Sequence, residues 1–134
     1  MTIPDGVLLA PGCTIADNPQ TAQFLQTCAE VAFELGHPIT IVHGTDGQHS
    51  GFLDPHPFGF AFDVRTHDQI NPDLLRTTLL TRLGTDWSDL IEDAGIPNEH
   101  LHAQIRKALW QALAPADQIA DARSRDEANG RIVA

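Results

Sequence analysis

The segment His56-Pro57-Phe58-Gly59-Phe60-Ala61-Phe62-Asp63-Val64-Arg65 decides how the rest of the chain is read. From Phe58 to Arg65, the bulky Phe58, Phe60, Phe62 and Val64 alternate with Gly59, Ala61, Asp63 and Arg65. Successive side chains of a strand point to opposite faces, so this pattern predicts a strand with two unlike sides. One side is bulky and packs against a helix. The other is small, then acidic, then basic, and leaves room for something to sit on it.

Upstream, the long loop from His43 to Pro57 is rich in Gly, Asp, Pro and His, and long loops of this kind in small domains usually carry function. Before it, Ile39 to Val42 is a β-branched strand. Earlier still, Phe24, Leu25, Cys28, Val31, Ala32 and Leu35 recur at helical spacing over about residues 18–35. Asp17 or Asn18 can cap that helix, Pro19 suits its first turn and Gly36 its end. Downstream, a second helix is expected from about Pro72 to Leu83, capped by Asn71 and closed by Gly84, with Leu74, Leu75, Leu79, Leu80 and Leu83 as its core stripe. Two short strands, near Ser88–Glu92 and His100–Ile105, follow around a turn containing Gly95 and Pro97. The 134 residues then fit one domain, 1–134, with a core over about 18–106 and a peripheral helix or frayed tail over 114–134.

Composition narrows the function. Hydrophobic residues make up 42% and charged ones 19%, a globular balance. The net charge of -10 argues against nucleic acid and against anionic membrane as partners. With no Lys or Arg before Arg65 and no long apolar run, neither a signal peptide nor a membrane span is expected, and synthesis is expected in the cytoplasm. Cys13 and Cys28 are then expected to stay reduced, Cys28 as a small core hydrophobe.

Seven histidines are many for this length, and they cluster. His56 leads into the strand, and Asp63 projects from its uncrowded face past Gly59 and Ala61. In His100-Leu101-His102 the two imidazoles share a face with Gln104, while Leu101, Ala103 and Ile105 point inward. Imidazole nitrogen and carboxylate oxygen both bind zinc at about 2.0–2.2 Å. Together the two groups offer three protein ligands from two strands for one zinc ion, with a fourth position left for water, the arrangement of a catalytic site.

Thr45-Asp46-Gly47-Gln48-His49-Ser50, then His56-x-x-Gly59-x-Ala61-x-Asp63-Val64-Arg65, then His100-Leu101-His102, resembles the D-alanyl-D-alanine carboxypeptidase and hedgehog zinc fold, and is most similar to its small phage and prophage members. The resemblance spans roughly residues 20–106. It implies an α+β fold, with a small antiparallel sheet, helices on one face and a zinc site on the other. It implies His56, Asp63 and His102 as ligands, a glutamate as base, and peptidoglycan peptides as substrate, cut by a carboxypeptidase or an endopeptidase. Such a protein meets the cell wall from a virion or on lysis. Two positions depart from the family: Asp54 stands where Ser is frequent, and Pro57 where an aromatic commonly follows the first histidine.

The expected base is Glu92, which ends the strand before the hairpin that returns to His102. Glu99 competes through its Glu-x-x-His spacing, but strand parity points it away from His102. His100 could stabilise an oxyanion or hold substrate, as the first histidine of the pair does in the family. Arg65 could bind a substrate carboxylate or form an ordinary ion pair, and His49 could line the cleft. His37, His43 and His67 are expected at the surface. The other readings are a non-catalytic zinc-binding structural or interaction module and a different metal-assisted hydrolase, such as a small amidase.

Overall fold

A computed structural model describes residues 1–47, 54–114, 120 and 124. The expectations for His49 and for most of the tail after Ala114 lie outside the described residues. The described elements are β1 (Val7–Leu9), α1 (Pro19–Leu35), β2 (Ile39–His43), a single 3-10 turn (His56–Phe58), β3 (Ala61–Arg65), α2 (Pro72–Leu83), β4 (Trp87–Glu92), β5 (His100–Ile105) and α3 (Lys107–Leu113). They form an α+β fold in which five strands lie in the order β1-β2-β3-β5-β4.

Both long helices begin as the sequence predicts. Asn18 caps α1 by accepting from the Thr21 N–H at 2.7 Å, and Asn71 caps α2 by accepting from the Leu74 N–H at 3.1 Å. The apolar stripe of α1 enters the core, where Phe24 stacks on Phe62 of β3 with ring centroids 4.2 Å apart and on Trp87 of β4 at 5.6 Å. From α2, Leu75, Leu79 and Leu83 are buried, whereas Leu74, expected in the stripe, is 47% exposed because it sits in the first turn, off the core-facing side. Cys28 is buried in the same core, and neither cysteine is in a disulfide.

The structure corrects three sequence expectations. The sheet is mixed rather than antiparallel, because β1 runs parallel to β2, with Val7 opposite Ile39 and Leu9 opposite Ile41. A three-residue Val-Leu-Leu strand is too short to announce itself by periodicity. The strand expected from Phe58 begins only at Ala61. Pro55 to Phe58 turn tightly, and Gly59, at φ 80°, ends that turn in the left-handed region. A Cβ on Gly59 would also lie 2.5 Å from the Ala16 side chain, so the position is closed to larger residues. Phe58 therefore leaves the strand and stacks on Trp110 of α3, a helix absent from the sequence reading.

The alternation holds from Ala61 onward. Phe62 and Val64 face the helices with Leu101, Ala103 and Ile105. The opposite face carries Asp63 beside His102 and Arg65 beside His100, and across β5 it carries Glu92 beside His100. Among the described residues no helix is long and apolar enough to cross a membrane.

Candidate metal centre

Strand pairing brings Asp63 and His102 together as direct neighbours, and the 3-10 turn delivers His56 to the same point. His56 Nε2 lies 3.3 Å and His102 Nδ1 3.1 Å from Asp63 Oδ1. All three residues are buried, and one ligand atom from each lies within 4.8 Å of the others. Ligands about 2.1 Å from a tetrahedral ion sit about 3.4 Å apart, so both distances suit a shared cation. Imidazole nitrogen and carboxylate oxygen are both ordinary ligands of metal ions. His56, Asp63 and His102 thus form a buried group that could hold a metal ion.

Two further residues fix which nitrogens face the centre. His56 Nδ1–H donates to Asp54 Oδ1 at 2.9 Å, and the same oxygen accepts from the His56 backbone N–H at 3.0 Å. His102 Nε2–H donates to Gln104 Oε1 at 2.8 Å, and the Gln104 amide is itself held by donating to the Ile105 carbonyl at 3.2 Å. His56 thereby presents Nε2 and His102 presents Nδ1, both toward Asp63. Asp54 is one of the two positions at which the sequence departs from the family it resembles, and sequence reasoning gave it no task. The Asp-x-His spacing was its only signal.

Gly47 backs the site: a Cβ there would run into the His56 ring, so only a glycine fits against the imidazole at this position. Burial pulls the His56 pKa down, but the hydrogen bonds and negative charge of Asp54 and Asp63 outweigh it and raise the pKa to about 9.

Of the three, Asp63 also lines a cleft of about 660 Å³, together with His43, Arg65, Glu92, Glu99 and His100 among others. Side-chain exposure rises outward from 0% at His56 through 6% at Asp63 and 7% at His102 to 19% at His100 and 28% at Glu92. Glu92 Oε1 lies 3.1 Å from His100 Nε2 and 3.7 Å from His102 Nδ1, at the mouth of the centre. Glu99 also lines the cleft, yet its carboxylate binds a turn: Oε1 accepts from the Thr66 hydroxyl at 2.7 Å and Oε2 from the Gly95 N–H at 2.9 Å. These bonds hold its pKa below the usual carboxylate value.

Arg65 stands on the cleft wall and makes no ion pair among the described residues. His43 is exposed and also reaches the cleft, tied to Asp46 at 2.8 Å, and His67 donates to the Pro97 carbonyl at 2.7 Å. Comparisons with protein-family models, curated proteins and solved structures found no match.

Proposed function

We propose that the chain is a zinc-dependent hydrolase that cuts an amide bond in bacterial peptidoglycan peptides, with His56, Asp63 and His102 as ligands and Glu92 as general base. The observation that carries this reading is the convergence of two oriented imidazoles on Asp63, a carboxylate that also lines a cleft together with the partly exposed Glu92. Zinc held there supplies a Lewis acid and lowers the pKa of water toward 7. Glu92 is placed to take a proton at its carboxylate and return it to the leaving amine. Glu99 suits that task less, because both of its oxygens already accept hydrogen bonds.

His100 lies beside Glu92 and could donate to the developing oxyanion. Arg65, a cation without an acidic partner among the described residues and set in an acidic cleft, suits the free carboxylate of a peptide terminus, which favours carboxypeptidase over endopeptidase action. The net charge of -10 fits a peptide substrate better than a polyphosphate. The resemblance in the His56–Arg65 and His100–His102 segments supports the same substrate class and the hedgehog-like fold.

Incubating zinc-loaded protein with defined muropeptides, and reading the products by mass spectrometry, tests the proposal. Glu92→Gln should retain zinc and lose turnover by about 10²–10⁴-fold, the usual contribution of a general base. One zinc per chain with no cleavage of any muropeptide would instead place the chain among non-catalytic zinc modules.

A further inference from the structure

Asp63 belongs to two groups of possible ligands. Besides its place with His56 and His102, it joins Glu92 and His100, whose ligand atoms also all lie within 4.8 Å of one another. The sheet register sets up this second group, since His100 is the direct partner of Glu92 on one side and of Arg65, two residues beyond Asp63, on the other. We infer that Asp63, Glu92 and His100 form a second divalent-cation site, with Asp63 bridging the two ions through its carboxylate.

The orientation of His100 is the independent argument. Its Nδ1–H donates to the Asn98 carbonyl at 2.8 Å, so the proton is held on the outer nitrogen. Nε2 then faces inward, 3.1 Å from Glu92 Oε1 and 3.8 Å from Asp63 Oδ1. All three histidines thus follow one rule: an acceptor fixes the outer nitrogen, and the inner one is turned toward Asp63. A surface histidine beside two carboxylates needs no such tether, whereas a ligand does. A carboxylate has two oxygens, and paired ions in two-metal sites lie about 3.5–4 Å apart, a spacing that one bridging carboxylate spans.

The second site has one imidazole and two carboxylates, a harder donor set than the first, and suits zinc or manganese. Glu92 and His100 are more exposed than His56 and His102, so the second ion is held more weakly. Occupancy has a consequence that rests on the proposed function. A Glu92 carboxylate bound to a cation no longer takes a proton, so the second ion switches hydrolysis off.

The test is a titration of metal-free protein with Zn²⁺, followed by calorimetry and native mass spectrometry. Wild type should take two ions in a tight and then a weak step. His100→Gln should keep the tight step and lose the weak one, and Glu92→Gln should weaken the same second step. Loaded with two equivalents of Mn²⁺, wild type should give the exchange-coupled electron paramagnetic resonance signal of a bridged pair, and His100→Gln only the single-ion signal. One ion at every zinc concentration, or a second step unchanged in His100→Gln, overturns the inference. A protein that takes one ion and cleaves muropeptide overturns the second site alone. One that takes two ions and cleaves nothing even with a single equivalent of zinc bound overturns the hydrolase reading alone.

Discussion

Asp63 and Asp89 are two carboxylates withdrawn from solvent on opposite faces of one sheet. The Asp63 side chain is 6% exposed and the Asp89 side chain 0%. Asp63 faces the cleft, with imidazole nitrogens at 3.1 and 3.3 Å. Asp89 points the other way, into the helix-covered side, where its only ion pair among the described residues is Arg76 Nη1 of α2 at 3.6 Å. Neither Asp89 oxygen accepts a hydrogen bond among the described residues, and burial pushes its pKa up despite Arg76. The same residue type in the same sheet is thus compensated in one place and barely compensated in the other. A buried carboxylate marks a site when several donors converge on it, and is a tolerated defect when one distant charge faces it.

Neighbouring residues of β3 give the strongest test of that contrast. Asp63→Ala should abolish stoichiometric metal binding, while metal-free protein stays folded by circular dichroism. Phe62→Ala, one residue away on the core face, should lower unfolding free energy by about 3–5 kcal/mol in urea titrations. Equal loss of stability in both variants would mean that the two faces do not divide the work as described.

A smaller effect is expected one layer out. Asp54→Ala should weaken metal affinity by about 10–100-fold without removing the site, because the His56 tautomer is no longer fixed. It should also flatten the pH dependence. In wild type the His56 pKa of about 9 means that metal must displace a proton, so apparent affinity rises by up to about tenfold per pH unit from about 6.5 to 9. Without Asp54 the rise should end at lower pH. Calorimetric titrations in buffers of different ionisation enthalpy report the proton released, and an unchanged proton count in Asp54→Ala would break the argument.

The smallest effect belongs to Asp89. Its pKa is raised by folding, so the protonated form stabilises the fold, and that contribution is lost as pH rises through the folded-state value. Asp89→Asn stays neutral throughout, and should raise the melting temperature slightly at pH 7. The gain should vanish below the ordinary aspartate pKa of 3.8, where Asp89 carries a proton in both states. A thermal-melt series across pH checks both the sign and the window.

Much of this division was readable in the residues. The Phe62/Asp63 alternation gave the two faces, the His100/His102 spacing gave the shared side, and Asn18, Asn71 and Gly36 gave helix ends, because each rests on local geometry. β1 was not readable, since three residues carry no period, and with it went the parallel pairing that makes the sheet mixed. The start of β3 was misplaced because Phe58 and Phe60 continue the alternation on paper, while Gly59 in the left-handed region breaks it in space. The tethers on the histidines were missed for the same reason. Asp54, Gln104 and the Asn98 carbonyl acquire meaning only when ring orientations are known.

The zinc content of purified wild type and Asp63→Ala, measured by plasma mass spectrometry after equilibration at low free zinc, tests the central claim most directly. The account predicts one zinc per chain in wild type and none in the variant. Folded wild type without stoichiometric zinc, or an Asp63→Ala variant that keeps it, would contradict the account.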